Sequence, residues 1–193
     1  GRRIGVYEYW FIGYSIRMNN KPKLLIIGYA RHGKDTVAEI LTHDYGYTYQ
    51  SSSQFCAENV VFPVLGPIYN YKTPEECFGD RSNHRKEWFD LITDYNQPDS
   101  AKLGKDIFSV SDIYCGLRNY DEFMSLKEEN VFDYSIWVDR SNHLPPEPTT
   151  SNTLFPELAD ITIDNNGSLD DLKKNVFNMK FTIEMEYNQW NLN

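Results

Sequence analysis

One glycine-containing loop limits the possible folds of this chain more than any other feature of its sequence. It follows an apolar run at 24–27 and precedes a helical pattern at 37–41. The loop reads Gly28-Tyr29-Ala30-Arg31-His32-Gly33-Lys34-Asp35-Thr36. Its glycines allow successive backbone N–H groups to face phosphate oxygens, and the following helix adds partial positive charge at its N-terminus. The pattern therefore predicts a strand, a phosphate-binding loop and a helix, with a nucleoside triphosphate as ligand.

Two positions in the loop suggest how the nucleotide and its metal are held. Lys34 is predicted to reach the β- and γ-phosphates. Loops of this kind usually have a serine or threonine directly after the lysine, whereas this chain has Asp35 there and Thr36 one residue later. Because Mg²⁺ prefers hard oxygen ligands, Asp35 is the predicted metal ligand. The side chain of His32 is expected to point outward. A chance lysine in a glycine-containing loop is the alternative interpretation.

Length and charge restrict the class of protein further. The 193 residues suffice for one well-buried domain and give no reason for a second. A net charge of −9 argues against duplex nucleic acid as a partner, since that partner needs clustered basic residues. The three cysteines show no metal-ligand spacing, so reduced thiols in a cytoplasmic setting are expected.

The N-terminal segment is expected to lie outside this domain. Residues 1–17 are rich in aromatics and contain Glu8, so they are too short and too polar to span a bilayer. Met18 stands just before the first predicted strand and has the position of a natural start. We therefore interpret residues 1–17 as an upstream extension or a remnant of expression, and residues 18–193 as the domain.

Periodicity along the chain alternates between strands and helices. Buried strands are predicted near 23–27, 47–50, 111–115, 134–138 and 160–163. Helices are predicted from the loop to about Tyr45, over 53–65 with Pro63 and the Gly66-Pro67 pair limiting its length, from Thr73, over 83–95, and after Ser168. This alternation predicts an α/β fold of three layers, with a central, mostly parallel sheet and helices on both faces.

Ligands of such folds bind at the carboxyl ends of the strands, where two arginines follow predicted strands. Arg118 is expected to contact an acceptor phosphate, oriented by Glu122 four residues later. A surface ion pair is the alternative for this arginine. Arg140 precedes a proline-rich loop and is expected to act as a lid residue over the transferring phosphate. No acid follows the strand at 111–115, which leaves Asp35 as the candidate for the metal.

A basic island at 80–88 in this acidic chain is a second candidate for acceptor binding. Arg81 and Arg85 are the predicted clamp on the acceptor phosphate. Trp88, at helical spacing from Arg85, is a candidate wall for base stacking. The alternatives are a solvated helix face for the arginines and a core position for the aromatic residue.

Three segments of the chain resemble the bacteriophage deoxynucleoside monophosphate kinases of the P-loop kinase group. They are the loop Arg31-His32-Gly33-Lys34-Asp35-Thr36, the segment Leu103-Gly104-Lys105-Asp106, and the final strand, turn and helix at 158–172. The resemblance implies a P-loop kinase fold over residues 18–193 and places Asn165, in the final turn, near the donor adenine. It also implies that Arg118 and Arg140 handle phosphates. The strand-end aspartate of the family is replaced by Gly116.

Together these features predict an ATP- and Mg²⁺-dependent transfer of a phosphoryl group to a deoxynucleoside 5′-monophosphate. Lys34, Arg118 and Arg140 are the predicted catalytic residues. The expected partners are small-molecule substrates, with no membrane and no duplex nucleic acid, and a homodimer is left open. The resemblance implies DNA precursor synthesis in the host cytoplasm. The alternatives are a modified base in DNA or another small acceptor, an ATP-binding switch without an acceptor, and a degenerate fold with a structural loop.

Overall fold

The computed structural model describes residues 21–191, so the segment 1–17 and Met18 lie outside the described residues. The described chain is an α/β fold with a five-stranded sheet in the order β2-β3-β1-β4-β5. All four pairings between neighbouring strands are parallel. The strands are β1 (Leu24–Ile27), β2 (Tyr49–Ser51), β3 (Ile113–Cys115), β4 (Tyr134–Asp139) and β5 (Ile161–Asp164). The predicted strands and the parallel sheet are therefore confirmed.

Strand β1 lies at the centre of the sheet and is buried on both faces. Its alternate side chains belong to two separate cores: Leu25 and Ile27 pack on one face, and Leu24 and Ile26 on the other. A strand between two helical layers needs an uninterrupted apolar run, which is what residues 24–27 provide. The helices on both faces are thus a direct consequence of this run.

Eight α-helices surround the sheet within residues 21–191. They are α1 (Lys34–Tyr45), α2 (Ser52–Cys56), α3 (Phe62–Tyr69), α4 (Pro74–Gly79), α5 (Arg85–Tyr95), α6 (Lys102–Val110), α7 (Tyr120–Glu128) and α8 (Leu169–Trp190). Helices α1 and α8 cover the face of Leu24 and Ile26, and the helices between residues 52 and 128 cover the other face. No helix among the described residues is both long and apolar enough to cross a membrane.

The predicted helix over 53–65 differs from the observed one. A π-helical turn (Ala57–Val61) joins α2 to α3, and the helical path continues to Tyr69. At this turn the N–H of Phe62 donates to the carbonyl of Ala57, five residues earlier, which shifts the hydrogen-bond ladder just before Pro63. Pro63 then occupies the first turn of α3, where its missing N–H costs little. The prolines therefore did not end the helix where the sequence predicted.

The last helix is confirmed in detail. The side chain of Ser168 accepts a hydrogen bond from the N–H of Asp171, and the Asp171 carboxylate accepts one from the N–H of Ser168. This reciprocal cap fixes the start of α8 directly after the turn that follows β5. The carboxyl ends of β1, β3, β4 and β5 meet at one edge of the sheet, which carries the glycine-containing loop at 28–36.

Candidate active site

The path of the loop requires its two glycines. Gly28 has φ +152° and Gly33 has φ +104°, a region that L side chains rarely adopt. A Cβ on Gly28 would lie 2.8 Å from the carbonyl oxygen of Val138, and one on Gly33 would lie 2.3 Å from Nδ2 of Asn165. The backbone of the loop therefore packs directly against the ends of β4 and β5, with no space for side chains at these points.

Helix α1 begins with a row of backbone donors for which residues 21–191 provide no acceptor. Gly33 is its N-cap residue and offers no side-chain acceptor. The first intrahelical bond runs from the N–H of Val37 to the carbonyl of Gly33. Within the described residues no protein acceptor is found for the N–H groups of Lys34, Asp35 and Thr36. Such a row of free donors at a helix N-terminus is suited to an anion.

The ammonium of Lys34 lies over the loop. Its Nζ donates to the carbonyl oxygen of Tyr29 at 2.9 Å. Burial lowers the pKa of Lys34, and the neighbouring Arg118 lowers it as well, whereas Cys115, Glu147 and Asp35 raise it. An entering phosphate could replace the single carbonyl acceptor and gain a charged hydrogen bond. Lys34 thus lies over the loop, and its contact with the β- and γ-phosphates stays a prediction.

The expectation that His32 points outward is wrong. The His32 side chain is fully buried, with 0% of its surface exposed. Its Nδ1 accepts a hydrogen bond from the N–H of Arg140 at 2.9 Å, so its Nε2 carries the proton and faces the carbonyl oxygen of Pro145 at 3.2 Å. The ring is buried because the segment after β4 folds back over the loop. His32 therefore ties the loop to residues 140–145.

Arg140 and Asn165 both support the loop from the ends of the neighbouring strands. Nη1 of Arg140 donates to the carbonyl oxygen of Asn165 at 2.5 Å. The side-chain amide of Asn165 donates to the carbonyl oxygen of His32 at 2.8 Å and is mostly buried. Asn165 therefore contacts the backbone of the loop, and its side chain is committed to that contact.

Glu147 is a site residue that the sequence interpretation missed. Its Oε1 accepts a hydrogen bond from the N–H of Ala30 at 2.5 Å and another from Asn152 at 3.3 Å. Its Oε2 lies 3.6 Å from Nη1 of Arg118. One carboxylate therefore connects the glycine-containing loop to an arginine beyond β3. The available signal was an acid between Pro146 and Pro148, the only Asp or Glu in residues 141–155.

The predicted pairing of Arg118 with Glu122 is wrong. Helix α7 begins at Tyr120, so Arg118 precedes the helix and the four-residue spacing does not place the two side chains on one helical face. Arg118 instead pairs with Glu147. Oε1 of Glu122 accepts a hydrogen bond from the hydroxyl of Tyr114 at 2.9 Å, and burial raises the pKa of Glu122 to about 7.

Asp35 presents a carboxylate beside the loop. Its Oδ1 accepts hydrogen bonds from the hydroxyl of Tyr49 at 2.5 Å and from Sγ of Cys115 at 3.6 Å. Burial raises the pKa of Cys115 to about 12, so this thiol stays protonated. Among the described residues no group of three His, Cys, Asp or Glu side chains could hold a metal. One carboxylate fits Mg²⁺, because this ion keeps several waters and takes its other ligands from phosphates.

One cavity adjoins the loop, and a second cavity shares residues with the first. The loop cavity, about 720 Å³, is lined by residues that include Lys34, Asp35, Tyr49, Arg81 and Arg118. The helix cavity, about 680 Å³, is lined by residues that include Arg81, Trp88, Asn96, Tyr114, Arg118 and Glu122. Arg81 and Arg118 line both cavities, together with Ser52, Ser53 and Gly116. The two arginines therefore stand at the junction of two compartments.

The predicted clamp on the acceptor is only partly assembled. The guanidinium of Arg81 stacks on the ring of Phe78 at 3.9 Å and reaches both cavities. Trp88 is a wall of the helix cavity with only 7% of its surface exposed. Arg85 is exposed and lines a third, open depression together with Arg81 and Trp88. The structure thus brings Arg81 and Trp88 next to Arg118 in the helix cavity and next to Arg85 in the depression, and Arg85 lines neither the helix cavity nor the loop cavity.

The geometry is that of an anion cradle beside a second compartment. The cradle consists of free amides and Lys34, and the compartment begins at Arg81 and Arg118. Such a site can position two substrates so that a group passes between them near the arginines. Comparisons of the sequence with protein-family models and with curated proteins find no match, so this geometry is the basis for inferring a function.

Proposed function

We propose that this protein is a P-loop kinase that transfers the γ-phosphoryl group of ATP to a deoxynucleoside 5′-monophosphate. The observation that carries the proposal is the junction of the loop cavity and the helix cavity at Arg81 and Arg118. The loop cavity would take the phosphates of ATP, and the helix cavity would take the acceptor. The resemblance to the bacteriophage deoxynucleoside monophosphate kinases supports this assignment of fold and reaction.

On the donor side, the free N–H groups at the start of α1 and the ammonium of Lys34 would bind the phosphates. Mg²⁺, when bound, neutralises charge on the phosphate oxygens, and Asp35 is the residue that would hold it. Arg140 and Asn165 keep the loop in place from the ends of β4 and β5. Their contacts fix the backbone donors before any nucleotide arrives, which lowers the entropy cost of positioning.

On the acceptor side, Arg118 and Arg81 would hold the phosphate of the monophosphate next to the donor. Phosphoryl transfer depends on positioning and charge neutralisation, and bidentate arginines suit both tasks. Glu147 lies 3.6 Å from the guanidinium of Arg118 and limits where it can point. Since Glu147 also bonds the loop at Ala30, the donor and acceptor halves share one support.

ADP release in the presence of ATP and Mg²⁺ tests the proposal. Each deoxynucleoside monophosphate, modified deoxynucleoside monophosphates and ribonucleoside monophosphates would be offered in turn. We expect acceptor-dependent ADP release from the wild-type protein and a loss of at least about 100-fold in Lys34→Ala. Lys127→Ala is the matched control, because Lys127 is exposed at the end of α7, away from both cavities.

Three other outcomes would replace the proposal. ATP binding without stimulation by any monophosphate would favour an ATP-dependent switch. Phosphate transfer to a base within DNA or to another small molecule would keep the reaction and change the acceptor. No ATP binding, together with insensitivity to Lys34→Ala, would indicate a structural loop. We propose a role in DNA precursor synthesis in the host cytoplasm only if the wild-type protein shows acceptor-dependent ADP release.

A further inference from the structure

The inner part of the helix cavity carries a carboxyl group that the transfer step does not use. Glu122 lies in the first turn of α7, where its N–H donates to the side-chain oxygen of Asn119 at 3.0 Å. This cap fixes the backbone position of Glu122. Its side chain lines the helix cavity with Trp88, Asn96 and Tyr114. The carboxyl group is thus carried on a rigid element beside the candidate acceptor compartment.

Tyr114 orients this carboxyl group. Its hydroxyl donates to Oε1 of Glu122 at 2.9 Å, and within residues 21–191 no partner is found for Oε2. Burial and the nearby Glu122 raise the pKa of Tyr114 well above its ordinary value, so Tyr114 remains a donor. Burial raises the pKa of Glu122 to about 7 although the hydrogen bond from Tyr114 lowers it, so the accepting carboxylate predominates above that pH. The second oxygen is left for a ligand.

No cation of the described chain neutralises Glu122. Arg118 pairs with Glu147, and Arg81 stacks on Phe78. A second polar group of the same cavity also lacks a partner, because the buried indole N–H of Trp88 has no acceptor among the described residues. Buried polar groups without partners are costly to the folded state, and a ligand that satisfies them gains affinity. The indole N–H has almost no accessible surface, so the unpartnered oxygen of Glu122, which lines the cavity, is the group that indicates a ligand with hydrogen-bond donors.

We propose that Glu122 selects the base of the acceptor and that the preferred base is guanine. The inference rests on the proposed function. Each carboxylate oxygen has two lone pairs, so Oε1 can accept from a ligand as well as from Tyr114, and Oε2 can accept beside it. Guanine presents two adjacent donors to such a pair of oxygens, the ring N1–H and the 2-amino group. Thymine places carbonyl oxygens on both sides of its single N–H. Adenine and cytosine place a ring acceptor beside their amino group. Glu122 is thus a specificity-determining residue matched to one base edge.

Equilibrium binding of nucleoside monophosphates, measured by calorimetry, tests this inference without requiring turnover. The probes are dGMP, dTMP and dIMP, which keeps the ring N–H of guanine and lacks the 2-amino group. We expect the wild-type protein to bind dGMP about 10-fold or more tighter than dIMP and than dTMP. In Glu122→Gln the ratio of dGMP to dIMP affinity should fall close to one, because the amide offers one acceptor in place of two.

Two further variants distinguish recognition of the base by Glu122 from a structural role of this residue. Glu128→Gln changes an exposed carboxylate at the end of the same helix and should keep the wild-type ratio. Tyr114→Phe keeps the carboxylate, removes its orienting donor, and should reduce the ratio to an intermediate value. Tighter binding of dTMP than of dGMP, an unchanged ratio in Glu122→Gln, or no binding of dGMP would each overturn the inference. Selective dGMP binding without ADP release would instead reject the proposed function alone.

Discussion

The glycine-containing loop and the helix cavity lie at the same edge of the sheet, but the chain builds them differently. The loop is one continuous segment whose backbone packs against Val138 and Asn165 with no room for a Cβ at its glycines. The helix cavity is assembled from β3 and from several helices between residues 52 and 122, and its rim includes the exposed Phe89. Changes in the loop should therefore abolish binding, whereas changes in the cavity should alter which acceptor is bound.

The largest effect is expected at the closest contact of the loop. In Gly33→Ala the new Cβ would meet Nδ2 of Asn165 at 2.3 Å, and φ is +104°. The loop would have to move away from β5, which would misalign its N–H groups. We expect the ATP affinity, measured by calorimetry, to fall at least about 100-fold and stability to fall by about 1–3 kcal/mol.

Gly46→Ala is the matched control for this prediction. Gly46 also has a positive φ, +73°, but a Cβ there meets nothing within 4 Å. The substitution should cost only about 1 kcal/mol of stability and leave the ATP affinity unchanged. Equal loss of ATP binding in the two variants would show that the loop does not depend on its close packing.

The difference between a loop formed by one continuous segment and a cavity assembled from several elements also explains which features the sequence could predict. The five strands were located within two residues, because apolar runs are local patterns. The contact of Glu147 with the N–H of Ala30 joins residues 117 apart and leaves no local pattern. The burial of His32 likewise depends on Arg140 and Pro145, which are distant from it in sequence. Contacts between segments were therefore the part that sequence could not supply.

A smaller effect is expected on the pH dependence of the folding stability, which tests the burial of Glu122 in the cavity wall. The pKa of Glu122 in the folded protein is raised from 4.5 to about 7. The stability that the protonated side chain contributes to the fold is therefore fully present below pH 4.5 and is lost as the pH rises through 7. Glu122→Gln stays neutral throughout. We expect this variant to be more stable than the wild type by roughly 1–3 kcal/mol at pH 8, with the difference vanishing near pH 4.5.

Denaturant unfolding at several pH values measures this difference. Glu128→Gln should show no such pH dependence, because Glu128 is exposed at the end of the same helix. A variant that is more stable and yet less selective for its acceptor is the pattern expected of a binding residue. Lower stability of Glu122→Gln at pH 8 would show that the carboxylate is already satisfied within the protein.

The smallest effect is expected where the two regions meet. Glu147→Gln keeps the hydrogen bond to the N–H of Ala30 and removes the charge 3.6 Å from Arg118. The side chain of Arg118 is 48% exposed, so the loss of this ion pair should cost little stability, about 0.5 kcal/mol. The effect on the orientation of the Arg118 guanidinium should be larger. We expect the KM for the acceptor to rise about fivefold, with the KM for ATP unchanged. Glu157→Gln is the control, because Glu157 is exposed and lines neither cavity. A rise in both KM values would mean that Glu147 chiefly holds the loop.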